Sequence, residues 1–229
     1  MNDIIFSADI DKAFKSTLIS YVNEKKDSDV IFGHLCIIHY REFANNDNAD
    51  IITIAAAIEL IILSSDIMDD LQDNDANYLW CNEPSLGMNA ALAMIFLAIK
   101  LIHESAFNYK HEALSILNDF VLKSIDGQYL DLINVCNHEE VYINMMDSKS
   151  GSLVALSSLI GTNLALGISD SKVLEYSRYI GVIQQIYNDI DDLKSFDRKG
   201  DLFNKKFFKT LFMYSVKSST LSKFLFCLK

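Results

Sequence analysis

One proline, Pro84, and eight glycines are spread over 229 residues, half of them apolar. Period-two alternation is scarce in the chain, and apolar side chains recur at helical spacing, so the reading is an all-α fold. Helices are expected over residues 9–24, 30–44, 50–72, 84–105 and 109–135, then a break near Asn137 and a short helix, then 149–166, 170–194 and 201–220. Their limits have physical causes. Asn45 to Asn48 form a polar loop that can cap the helix after it, Pro84 suits a first helical turn, and Gly167 stands where a C-cap glycine belongs. Residues 74–84 read as irregular. No repeat, low-complexity tract or linker divides the chain, so residues 1–229 are read as one domain with a substantial core.

Two acidic clusters interrupt this apolar pattern. Asp69, Asp70 and Asp73 make a D-D-x-x-D cluster at the end of the run from Ile58 to Met68, and Asn188, Asp189 and Asp192 repeat the spacing as N-D-x-x-D. Side chains four residues apart share one helix face, about 6 Å apart at Cβ. Carboxylates on a core-forming helix are costly unless something compensates them. Mg²⁺ does so well, because it takes oxygen ligands and is commonly held by one or two carboxylates together with substrate phosphates. Two such clusters facing each other would make a magnesium-diphosphate site.

Other function classes are excluded by composition. A net charge of −11 with three arginines, Arg41, Arg178 and Arg198, offers no footprint for nucleic acid. Cys36, Cys81, Cys136 and Cys227 are far apart and form no C-x-x-C pair, which fits a reducing cytoplasmic setting better than a disulfide or zinc framework. The N-terminus carries no basic, apolar leader. The most apolar segments, Ile51 to Leu63 and Ala90 to Ile99, fall short of the ~20 residues of a membrane span and are expected to be core helices. The five histidines have no metal-ligand spacing, and Trp80 is read as a packing residue.

Five landmarks in order resemble the trans-isoprenyl diphosphate synthase superfamily, the polyprenyl synthetases. These are Glu59 through Asp73; Gly127-Gln128-Tyr129-Leu130-Asp131-Leu132 for its G-Q-x-x-D-L; Lys149-Ser150-Gly151-Ser152-Leu153 for its K-T-G-x-L; Gly181 through Asp192 for its F-Q-I-x-D-D-x-x-D; and Lys199 with Lys205 and Lys206 where the family keeps phosphate-binding lysines. The resemblance implies an isoprenoid synthase-type helical bundle with a central active-site cavity. It also implies a Mg²⁺-dependent transferase that ionises an allylic isoprenyl diphosphate. Asp69, Asp70, Asp73, Asn188, Asp189 and Asp192 would serve the metal. Lys149, Gln185, Lys199 and Lys206 would contact the diphosphate, and Gln128 and Asp131 would belong to the substrate site. Ser64 and Ser65, one turn before the first cluster, would leave an apolar tunnel open for the hydrocarbon tail. The family usually dimerises, so a homodimer is implied. It also continues for further helices, so this chain is expected to be a C-terminally shortened member, a fragment or a truncated allele.

The departures bear on the acceptor. Where chain-elongating members carry an arginine pair, this chain has Asn77-Tyr78-Leu79-Trp80, and no arginine occurs between Arg41 and Arg178. A second diphosphate therefore has no evident cradle. The wording from Leu63 to Asp73, with Leu79-Trp80 after it, is most similar to the ComQ-type branch, whose members transfer an isoprenyl group to a tryptophan of a quorum-sensing pheromone precursor peptide. Two other readings stay open at this point: a polyprenyl diphosphate synthase that uses isopentenyl diphosphate, and a non-catalytic subunit of a heteromeric prenyl synthase.

Overall fold

The computed structural model describes residues 1–25, 30–73, 78–133 and 138–195, with side chains described as far as Asp189. Every element among these residues is helical: α1 (Asn2–Ser7), α2 (Lys12–Glu24), α3 (Ile31–Ala44), α4 (Ile51–Asp73), α5 (Leu79–Asn82), α6 (Pro84–Glu104), α7 (Lys110–Leu132), α8 (Glu139–Met146), α9 (Ser152–Leu166) and α10 (Ser171–Ser195), with a π-helical turn at Asp147–Gly151 joining α8 to α9. The helix expected over 201–220 lies outside the described residues, as do Lys199, Lys205 and Lys206.

Among the described residues the chain divides into two compact units: Met1–Leu122 with Leu153–Ser177, and Lys123–Ser152 with the residues from Arg178 on. In the first, α4 is the organising element. Ile51, Ile54, Ala57, Ile58, Leu60, Ile61, Leu63 and Ile67 are all buried, so its apolar residues fill nearly the whole circumference, as a helix enclosed by others requires. It packs chiefly on α6 and α3. Each fully buried Ile or Leu contributes about 1.5–3 kcal/mol relative to exposure, and Ile58, Leu60 and Ile67 are among the largest side chains closed off completely. The second unit has a smaller core of Tyr142, Met145, Met146, Val182 and Ile186, with Leu130, Val141 and Ile143 against it.

Local chemistry sets the helix ends. The Asp11 carboxylate accepts from the Ala13 and Phe14 amides at the start of α2, and Asp170 does the same for Lys172 and Val173 at the start of α10. Asn45 takes the left-handed conformation after α3, with φ 49°. Gly167 closes α9 at φ +73°, its amide donating to the Asn163 carbonyl, as its sequence position implies. Pro84 opens α6. The N-terminus of α3 has no capping side chain of its own. Glu59 supplies one from α4, accepting the Gly33 amide at 2.5 Å. Burial pushes the Glu59 carboxyl up from its usual range, partly opposed by the Gly33 and Phe32 amides.

Three expectations need correction. First, the short helix and the helix from Lys149 are not separated, because the backbone passes from α8 to α9 through the π turn without leaving the helix; the break expected near Asn137 lies outside the described residues. Second, the stretch after the first acidic cluster is not irregular throughout, since Leu79–Asn82 forms a short helix that buries Trp80. Third, α4 and α6, at 23 and 21 residues, do reach the length and apolarity of a membrane span. The helices continue beyond the apolar runs into polar residues, which the run length alone misses. The most apolar window of α4 is 61% buried inside the fold, which marks it as a core helix.

Candidate functional site

The first unit carries one candidate cluster at the C-terminal end of α4. Asp66, Asp69, Asp70 and Asp73 emerge half-buried from the core helix, with Asp69 and Asp73 one turn apart on one face. Two elements distant in sequence meet them. Lys25, at the end of α2, lies 3.3 Å from an Asp66 carboxylate oxygen and 5.0 Å from the centre of the Tyr78 ring. Burial works against the Lys25 charge, but Asp66, Tyr78 and Asp70 more than offset it and hold the ammonium above its usual range. Trp80 is fully buried, stacks on Tyr78 with ring centres 4.8 Å apart, meets Tyr21 edge-on, and donates its indole N–H to Asp70 Oδ2 at 3.0 Å. The residue read as mere packing thus holds one of the aspartates.

This surplus of negative charge is physically expensive. Burial drives the Asp70 carboxyl up to about 7, with Asp66 and Asp69 pushing the same way against Lys25 and the indole bond. A hard cation is the natural compensation, so the donor set fits Mg²⁺. Among the described residues no three His, Cys, Asp or Glu side chains gather into a metal cage. Ser64 and Ser65 both donate to the Ile61 carbonyl, at 2.7 and 3.1 Å, which keeps two small side chains folded back on α4 just before the cluster.

The second unit is built around the π turn. Three glycines let backbone meet backbone there. A Cβ on Gly127 of α7 would stand 2.7 Å from Lys149 Cα, and one on Gly181 of α10 would stand 2.6 Å from Gly151 Cα. The turn is held from the side as well. Asp147 accepts Arg178 Nε at 2.7 Å and Arg178 Nη2 in a forked pair, with Lys123 at 3.6 Å. Burial would raise the Asp147 carboxyl, but the bonds and charges of Arg178 and Lys123 hold it below its usual range.

The landmark side chains come together on this turn. Lys149 Nζ lies 3.1 Å from Asp131 Oδ2, in a pair whose side chains are 15% and 4% exposed. Its carbonyl accepts the Ser124 hydroxyl. Ser150 donates to Gln185 Oε1 at 2.7 Å, Gln185 Nε2 donates to Asp189 Oδ1 at 2.9 Å, and the Tyr142 hydroxyl donates to Asp189 Oδ2. Gln185, expected at the diphosphate, therefore has both ends of its amide bonded within the protein. Asn188 is exposed and accepts from Gln184 at 3.1 Å. Gln128 sits half-buried on α7. The Asp192 side chain lies outside the described set. Sequence reasoning missed Tyr142, Asp147, Arg178 and Lys25. A lone aromatic in a short helix and scattered charges carry no motif, and only the fold pairs them.

The polyprenyl synthetase family model matches residues 30–208. The tryptophan prenyltransferase ComQ of Bacillus subtilis subsp. natto (strain BEST195) is 38% identical over 191 residues, 82% of this chain and 59% of that protein. The tryptophan prenyltransferase ComQ of Bacillus spizizenii is 34% identical over 213 residues, 92% of this chain and 74% of that protein. The chain thus spans about six tenths of the length of the first relative and three quarters of the second. Among solved structures, an isoprenoid synthase family member from Thermotoga neapolitana DSM 4359 has the same fold, with a TM-score of 0.73 at 19% identity over 93% of this chain and 84% of that one. The landmarks, the all-α architecture and these similarities agree: the chain belongs to the polyprenyl synthetase family, in its ComQ-type branch.

Proposed function

We propose that this chain is a Mg²⁺-dependent isoprenyl transferase that ionises an allylic diphosphate, geranyl or farnesyl, and passes the isoprenyl group to a tryptophan of a peptide of the pheromone-precursor type. The observation that carries the reading is the similarity to tryptophan prenyltransferases over most of this chain. The absence of any arginine between Arg41 and Arg178 supports it. The segment after the first acidic motif offers no bidentate grip for a second diphosphate. Tyr78 is stacked on Trp80, and the neighbouring Lys25 is already paired with Asp66.

Asp69, Asp70, Asp73, Asn188, Asp189 and Asp192 are the proposed oxygen ligands. When bound, Mg²⁺ neutralises charge on the departing diphosphate. The rest falls to the chain's own residues. Lys149, held by Asp131, presents the ammonium of the K-S-G segment to the diphosphate, and Lys199 and Lys206 add charge to it. A fixed ammonium stabilises the leaving group most effectively where water is scarce. The allylic cation left behind must meet a π nucleophile before water does, so the tail needs an apolar channel. Ser64 and Ser65 keep α4 narrow for it. An indole is electron-rich enough to capture the cation without any change in the ionisation step, and it loses a ring proton as the new C–C bond forms.

The test is incubation of the purified protein with Mg²⁺ and geranyl or farnesyl diphosphate, plus either a tryptophan-containing peptide or isopentenyl diphosphate, read by mass spectrometry. The reading expects an isoprenyl adduct on the peptide and little chain elongation. Efficient formation of longer diphosphates would replace it with the chain-elongating alternative.

A further inference from the structure

Asp189 is 4% exposed, and both of its carboxylate oxygens are held. The amide of Gln185 donates to Oδ1, one turn earlier on α10, and is itself fixed by the Ser150 hydroxyl in the π turn. The hydroxyl of Tyr142 donates to Oδ2 from α8, 47 residues away, and this ring is 2% exposed in the core formed by Met145, Met146, Val182 and Ile186. A carboxylate oxygen has two lone pairs. Donors from two directions fix the plane and rotamer of the group, and a carboxylate oxygen that accepts a hydrogen bond can also bind a cation. The buried Tyr142 hydroxyl donates to a proposed metal ligand, where a backbone carbonyl would have served packing equally well.

We propose that Tyr142 is the positioning residue of the second acidic motif: it holds Asp189 in the orientation that accepts the diphosphate-bound Mg²⁺, with Ser150 acting from the other side through Gln185. The inference rests on the reading of Asp189 as an oxygen ligand. Groups that orient ligands in this way typically matter about 10- to 100-fold for metal affinity or activity.

Tyr142→Phe removes one hydroxyl and keeps the ring in its core, and the test uses the full chain with Mn²⁺ as spectroscopic probe in the presence of inorganic diphosphate. Electron paramagnetic resonance titration should show Mn²⁺ bound about tenfold more weakly than in the wild type. The Mg²⁺ concentration for half-maximal turnover should rise in parallel, while KM for the allylic diphosphate at saturating Mg²⁺ stays within about twofold, because the metal site and not the tail site is disturbed. Ser150→Ala, acting through Gln185, should shift Mn²⁺ affinity in the same direction. If Tyr142→Phe does not fold, an unchanged Mn²⁺ titration in Ser150→Ala overturns the proposal by itself. A tyrosine with a purely structural role would lower the thermal midpoint and leave Mn²⁺ binding by the folded protein unchanged, and that result also overturns it. Asp189→Ala separates the two levels. If it binds Mn²⁺ and diphosphate as tightly as the wild type, the ligand reading fails and takes the inference with it. If it loses binding while Tyr142→Phe keeps it, only the role of Tyr142 falls.

Discussion

Arg178→Met isolates the clamp on the π turn. The guanidinium makes a forked pair with Asp147, one bond at 2.7 Å, in which the arginine side chain is 38% exposed and the aspartate 15%. Two charge-assisted bonds would contribute about 1.5–3 kcal/mol each in a buried setting. Solvent around the arginine screens them, and Lys123 remains 3.6 Å from the carboxylate, so the net loss should be about 1.5 kcal/mol. For a chain of this length that corresponds to a fall in Tm of about 3–6 °C at pH 7. The sign of the pH dependence follows from the direction of the Asp147 shift. Its folded-state carboxyl lies below the usual value, so the stability it contributes is present in full above the unfolded-state pKa and is lost as pH falls through the folded one. The difference in Tm between wild type and variant should therefore be constant from neutral pH down to about 5 and shrink below about 4. Scanning calorimetry or circular-dichroism melts at four pH values measure this. A difference that persists undiminished at pH 3, or no difference at pH 7, would refute the assignment of the clamp to this ion pair.

Three further outcomes follow from the same geometry. Asp73→Ala or Asp189→Ala should lower turnover by about 100-fold or more without loss of helicity, and EDTA should stop the wild type; activity close to wild type in either variant, by the peptide-adduct assay, counts against the metal reading. Ser65→Phe places a ring one turn before Asp69 and should reduce kcat/KM for farnesyl diphosphate more than for geranyl diphosphate, and an unchanged donor preference would show that the tail runs elsewhere. Gly181→Ala forces a methyl against the Gly151 backbone, where neither partner is a flexible side chain, and should cost about 1–3 kcal/mol in urea melts; a neutral result would mean that α10 and the π turn can part without penalty.

The sequence was most legible where structure depends on neighbours along the chain. The uninterrupted apolar run of α4, Pro84 at the start of α6 and the left-handed Gly167 all follow from local rules, and the helical class follows from them. The family landmarks were legible too, because fixed spacing on a helix leaves a pattern in the letters. The partners of those landmarks were not. Glu59 accepts an amide 26 residues before it, in the first turn of α3, and Tyr142 reaches an aspartate 47 residues on. Lys149 was expected to face the diphosphate, but its contact with Asp131 exists only because Gly127 lets α7 touch the π turn. The π turn itself left no signal, since a backbone held by close contacts with two other helices need not show in local propensity. Spacing identified the proposed ligands, and the fold supplied what orients them.

The only tryptophan of the chain is Trp80, and it lies at the first acidic motif. Its benzo ring and pyrrole ring are enclosed by Tyr78 on one face and the edge of Tyr21, and its N–H is committed to Asp70. For a protein proposed to alkylate indoles, the one indole it contains is thus shut away from its own electrophile. The same enclosure makes the protein its own optical instrument. All intrinsic tryptophan fluorescence originates at one hydrogen bond to one aspartate, so a change in emission on adding Mg²⁺ with diphosphate, or quenching by paramagnetic Mn²⁺, reads that corner of the molecule directly, while a peptide acceptor built with 5-fluorotryptophan can be followed separately by its fluorine resonance.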